Sequence, residues 1–106
     1  MNEFIIYTDS YDFDDRTEFG TVLVFFYDHS DALSRAFESI IEEIAAQYAD
    51  RINVLAVDIE QSPDLAYRYS IEVLPAVVVL HNNEIIEQIE GSNNPSVYTD
   101  IIDELI

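Results

Sequence analysis

The sequence predicts an α/β protein of three layers, α/β/α, with a central mixed five-stranded sheet and helices on both faces. Three observations predict it. Residues 21–27 form a nearly unbroken apolar run, residues 28–31 interrupt it, and Phe37, Ile40, Ile41, Ile44 and Tyr48 then recur every three or four residues. That is strand, turn and long amphipathic helix. Ala76-Val77-Val78-Val79-Leu80 is wholly aliphatic, the pattern of a central strand covered on both sides. Finally, the elements alternate strand and helix three times and finish as strand, strand, helix. The strand–helix–strand steps require parallel pairing with right-handed crossovers, and the late hairpin adds antiparallel strands.

Each element has a local reason. Phe4-Ile5-Ile6-Tyr7 reads as the first strand. Thr8, Asp9 and Ser10 follow as turn or cap residues. A short helix over residues 10–18 is expected to be anchored by Tyr11, Phe13 and Phe19. Asp12, Asp14 and Asp15 lie near its positive end, and Gly20 stops it. The second strand is residues 21–27. The long helix is expected from about Asp31 to Asp50, capped by Ser30 or Asp31. Its inner stripe is Phe37, Ile40, Ile41, Ile44, Ala45 and Tyr48, and its outer face is Glu38, Glu42, Glu43 and Gln47. Residues 52–59 are the third strand. Ser62 is expected to cap the next helix, with Pro63 at its first position and Leu65, Ala66, Tyr69 and Ile71 facing inward. After the aliphatic strand, residues 81–84 make a hairpin turn whose asparagines tolerate positive φ. Residues 85–90 form a less buried strand toward an edge. Residues 91–94 form a loop, and Pro95 or Ser96 opens a last helix with Val97, Ile101, Ile102 and Leu105 inward.

Composition narrows the function. The chain of 106 residues, 49% hydrophobic, is expected to be one domain, 1–106, with a substantial core. It has no cysteine, which removes disulfides, thiolate nucleophiles and cysteine-held zinc. Its 22 acids face four arginines and no lysine, for a net charge of -18. Arg16, Arg35, Arg51 and Arg68 are scattered, so no phosphate-binding stripe forms and nucleic acid is a poor partner. An anionic membrane would repel the chain. No apolar run approaches the roughly 20 residues of a membrane span, and no basic region precedes an apolar stretch as in a secretory signal. A cytoplasmic protein is expected. The charge suits a partner with a basic surface, bound cations or a high-salt setting. Two glycines leave no nucleotide-binding motif, and no cofactor is expected.

Several constellations remain weak. His29, Ser30 and Asp31 adjoin, with Ser34 one turn on, but neighbours in one turn rarely give nucleophile–base–orienter geometry. His29 with Asp28 and Asp31 offers two or three metal ligands on a turn, too few to expect a metal site. His81 is expected to be solvated. Asp12, Asp14 and Asp15 lack the glycine and terminal glutamate of a calcium loop.

A set of segments carries more. In order they are Val22-Leu23-Val24-Phe25-Phe26-Tyr27, Ile41-Glu42-Glu43-Ile44-Ala45, Asp58-Ile59-Glu60-Gln61-Ser62-Pro63, Ile71-Glu72-Val73-Leu74-Pro75-Ala76, and Asn82-Asn83-Glu84 with Gly91. With them the chain resembles the thioredoxins from about Ile5 to Leu105. The resemblance implies that Asp31 and Ser34 stand where the family has its nucleophilic and resolving cysteines, with Ala32 and Leu33 between them and Ser30 in place of a tryptophan. It places Phe25 at the family's buried acid and Ala56 at its lysine. Thiol–disulfide exchange needs a thiolate, so dithiol oxidoreductase activity is excluded. The resemblance also implies a cis Pro75 against the former active-site turn, and a peptide-docking surface of Tyr27, His29, Ala32, Leu74, Pro75 and Gly91. The expected role is non-catalytic protein binding, as chaperone, adaptor or assembly factor, by a monomer or weak dimer. Alternatives are a cation-buffering or self-associating domain, a salt-adapted protein, and a non-thiol enzyme using His29, Asp31 and Ser34.

Overall fold

The computed structural model describes residues 3–106. It contains the strands β1 (Ile5–Thr8), β2 (Thr21–Tyr27), β3 (Asn53–Asp58), β4 (Ala76–His81) and β5 (Glu84–Glu90). The helices are α1 (Phe13–Thr17), α2 (Ala32–Gln47), α3 (Pro63–Arg68) and α4 (Pro95–Leu105). The sheet order is β1-β3-β2-β4-β5. β3 lies parallel to both β1 and β2, while β4 is antiparallel to β2 and β5 to β4.

Period-two alternation along the central strands sorts their side chains into two cores. Leu23, Phe25, Val54, Ala56, Val77 and Val79 point to one face, covered by Phe37, Ile41, Ile44 and Tyr48 of the α2 segment and by Tyr98 and Ile102 of α4. Val22, Val24, Phe26, Leu55, Val57, Val78 and Leu80 point to the other, covered by Phe13 of α1 and by Leu65 and Tyr69 at α3. β2 and β4, which carry side chains into both cores, read in sequence as the apolar runs that predict them. The three-layer α/β/α class with a mixed five-stranded sheet is therefore the observed one.

The Asn82–Asn83 turn adopts the expected positive φ at both residues, 49° and 69°. Several side chains depart from expectation. Tyr11 is 96% exposed and Phe19 is 75% exposed, so of the three rings only Phe13 anchors α1, with Thr17 buried beside it. That helix has five residues, and its single turn has room for one inward ring. α2 ends at Gln47, short of Asp50. Ser62 makes no cap hydrogen bond; its buried Oγ instead accepts the Ser10 N–H, tying the β1 exit to α3. In α4 the inward position belongs to the fully buried Tyr98, and Val97 is exposed. Tyr98 meets the Phe37 ring edge-on at 5.6 Å. A position one residue along a helix turns by about 100°, which decides which of two adjacent apolar residues is buried. Glu38, read as outward, is half-buried and accepts the Tyr7 hydroxyl at 3.2 Å. Burial and this carboxylate push the Tyr7 pKa up to about 12.

Candidate functional site

The candidate site lies at the carboxyl end of β2, where ligands commonly sit in α/β sheets. The chain leaves β2 at Tyr27, turns through residues 28–31 and enters α2. Asp31 is the N-cap of α2: its backbone is extended and its Oδ2 accepts the Ser34 N–H at 2.8 Å. Ser34 is 1% exposed, and its Oγ accepts the Asp28 N–H at 3.4 Å. The Asp31 N–H in turn donates to the Asp28 carbonyl at 2.9 Å. The positions that resemble the cysteine pair thus hold a helix cap and a buried hydroxyl that closes the turn. Neither is an activated nucleophile.

Phe25 is 2% exposed and lies opposite Ala56 across the β2–β3 ladder. Its ring stacks on Tyr27 at 5.4 Å and meets Phe37 at 6.2 Å. A carboxylate here would be buried among apolar groups, a costly arrangement without a partner; a ring and a methyl fill the space instead. Burial, followed by the negative charges of Asp58 and Glu38, raises the Tyr27 hydroxyl pKa.

The β4 flank brings Pro75 to this end. Phe26 pairs with Ala76, so Pro75 lies one residue away, beside the β2 exit. The Leu74–Pro75 peptide bond is cis. The Pro75 carbonyl accepts the Gly91 N–H at 2.8 Å, and Gly91 has φ of +84°, a conformation that favours glycine. Tyr27, Pro75 and Gly91 are therefore gathered around one strand end. Leu74 is half-buried, and Ala32 is exposed at the first turn of α2.

His29 points the other way, toward β3. Its Nδ1 lies 3.2 Å from Asp58 Oδ2, and a carboxylate can only accept, so the imidazole donates. Asp58 is 8% exposed and sits opposite Tyr27 in the β2–β3 register. Its second oxygen accepts the Glu60 N–H at 2.9 Å. The hydrolase-like grouping of His29, Asp31 and Ser34 is not assembled: His29 bonds Asp58, Asp31 caps α2, and Ser34 bonds the turn backbone. Arg35 also serves the turn, donating to the His29 carbonyl at 3.3 Å. On this flank a cleft of about 250 Å³ runs between Tyr7, Tyr11, Tyr27, Asp58 and Gln61.

The sequence pointed to Asp28 and Asp31 as the acids beside His29; Asp28 does lie near it, but Asp31 caps α2, and Asp58 and Glu60 take its place. Their signal was present, since both lie where β3 ends and strand ends carry sites. The parallel register that carries Asp58 to His29 was not legible. His81, expected to be solvated, is half-buried, with Nδ1 2.9 Å from Thr21 Oγ1.

The family pattern described as Thioredoxin matches residues 4–104. Thioredoxins of Staphylococcus aureus, in strains Mu50 and MW2 alike, are 24% identical over 93 residues, spanning 88% of this chain and 89% of theirs. The fold is similar to that of a mutant thioredoxin from Halobacterium salinarum NRC-1, with a TM-score of 0.87 at 22% identity, over 99% of this chain and 94% of that one. Having no cysteine, the chain lacks the dithiol chemistry typical of thioredoxins. It belongs to the thioredoxin family, as a member without the CxxC pair.

Proposed function

We propose that this protein is a non-catalytic binding module, a chaperone, adaptor or assembly factor, that docks an extended segment of a partner with a basic surface. The observation that carries the reading is the fate of the two halves of the site. The turn that resembles the family's sulfur site is a capped helix start, while Pro75 lies beside the β2 exit and is held by Gly91. A docking surface of Tyr27, Ala32, Leu74 and Gly91, backed by the buried Pro75, needs no thiol. His29, held toward Asp58, would border it rather than line it. The charge supports the choice of partner: among the described residues Asp58 is the one buried acid, so the negative field lies at the surface. Such a field speeds encounter with a positive partner and is weakened by salt.

The protein works as a monomer or weak dimer. β5 is a sheet edge with Ile85 and Ile86 exposed. Glu84, Glu87 and Glu90 interrupt it, and the pairing register slips between Val79 and Leu80, both of which discourage edge-to-edge pairing.

Affinity capture with the wild-type chain and with Ala32→Arg, at about 50 mM and about 300 mM salt, tests the reading. Expected is a reproducible partner held at low salt, weakened at higher salt and lost with Ala32→Arg. Capture indifferent to both salt and substitution refutes it. Insulin reduction above the thiol background by the wild-type chain would also refute it.

A further inference from the structure

We propose that Asp28, His29 and Glu60 together bind a divalent transition-metal ion of the zinc class, with Asp58 as the residue that positions two of the three. The site is separate from the docking surface and does not depend on it. One ring nitrogen of His29 and one carboxylate oxygen each of Asp28 and Glu60 lie within 4.8 Å of one another, and a turn of the exposed imidazole brings Nε2 to the same place. A zinc-class ion with bonds of roughly 2.0–2.2 Å draws tetrahedral ligands to roughly 3.4 Å of one another. The closure, about 1.4 Å at most, is within reach of the exposed His29 and Glu60 side chains.

What separates this trio from a patch of surface acid is the buried carboxylate behind it. Asp58 takes the His29 Nδ1 proton with one oxygen and the Glu60 backbone N–H with the other. One group therefore fixes an imidazole from the β2–α2 turn and the backbone that carries Glu60 on the β3–α3 turn. With Nδ1 donating, Nε2 keeps its lone pair for a metal, the carboxylate–histidine arrangement that orients a ligand ring and raises its basicity. Asp28 is equally well placed. Its Oδ1 accepts both the N–H and the hydroxyl of Ser30, which hold the carboxyl on the turn. Asp28 and Glu60 bring two carboxyl groups within reach of each other, where their charges repel, and among the described residues no arginine is paired to either; Arg35 goes to the His29 carbonyl. A cation relieves that repulsion. The imidazole selects a borderline metal over calcium or magnesium, and three protein ligands leave a fourth position for water.

Zinc chloride titrated into the full chain by calorimetry, with excess magnesium present to occupy diffuse acidic sites, tests the proposal alongside NMR of the two imidazoles. Expected is saturable binding of one ion, with the His29 ring signals moving and those of His81 still. His29→Ala and Glu60→Gln each weaken binding by about tenfold or more. Asp58→Asn does so by about 10- to 100-fold, and His81→Ala leaves it unchanged. His29 and Glu60 are exposed, so their variants fold even if Asp58→Asn does not. Binding abolished by magnesium, imidazole shifts equal at both histidines, or wild-type affinity in His29→Ala would each overturn the site and leave a counter-ion atmosphere.

Discussion

Replacing Asp31 by alanine tests whether the residue that resembles the family's nucleophile position is a structural one here. The substitution removes the oxygen that accepts the Ser34 N–H at 2.8 Å at the start of a 16-residue helix. Losing an N-cap of this type costs about 1 kcal/mol. Losing a negative charge beside the positive helix end costs about 0.5 kcal/mol more. The sum is about 1.5 kcal/mol, roughly a tenfold change in the unfolding constant. In a domain of this size that lowers the melting temperature by about 6–9 °C. Asp31→Asn keeps an oxygen in the same place and loses only the charge, so it should cost about a third as much. Thermal melts by circular dichroism, with all variants in one buffer of fixed salt, measure both. Asp31→Ala melting with the wild type, or Asp31→Asn falling as far as Asp31→Ala, would refute the capping account.

Phe25→Asp puts an acid at the position that resembles the family's buried one, and should unfold the chain or nearly so. The lost ring alone costs about 3–5 kcal/mol, against about 5–15 kcal/mol for a whole domain, and the new carboxylate would be buried without a partner; urea denaturation reads it. Tyr48 is buried with its hydroxyl donating to Asp103 at 2.6 Å, and burial followed by that carboxylate pushes its pKa up to about 12. The folded protein keeps this proton longer than the unfolded chain. The contribution is therefore whole below about pH 10 and drains away between about pH 10 and 12. Tyr48→Phe should cost about 1 kcal/mol at neutral pH and flatten that alkaline loss, as chemical denaturation at a series of pH values will record. Salt should stabilise the wild-type protein. The molecule measures 32 × 27 × 24 Å, so at about 0.01 M salt, where the Debye length is about 30 Å, charges across it repel one another; at about 1 M it is about 3 Å. The arginine ion pairs described, Arg16–Asp12 at 2.7 Å and Arg68–Asp14 at 2.6 Å, offset little of a net charge of -18. A melting temperature that is flat or falling across that range would contradict the surface-repulsion argument. A high, cooperative transition at the low end would exclude a requirement for molar salt.

The sequence by itself determined the element order, because the periods of its apolar residues are local properties. Val22 to Phe26 and Ala76 to Leu80 must be covered on both faces wherever they pair, and the α2 stripe must face a core. It also determined the loss of thiol chemistry, since no folding supplies a missing sulfur. Which of Val97 and Tyr98 is buried, and that Tyr11 and Phe19 are left in solvent, was decided by the space each helix finds above the sheet. The same holds at the site. Asp31 as cap could be read from its place before a helical stripe, because a cap bonds within its own turn. The meeting of His29 with Asp58, and of Pro75 with Gly91, joins residues far apart in the chain. Strand register sets those distances, and register is fixed only when both faces of the sheet pack at once.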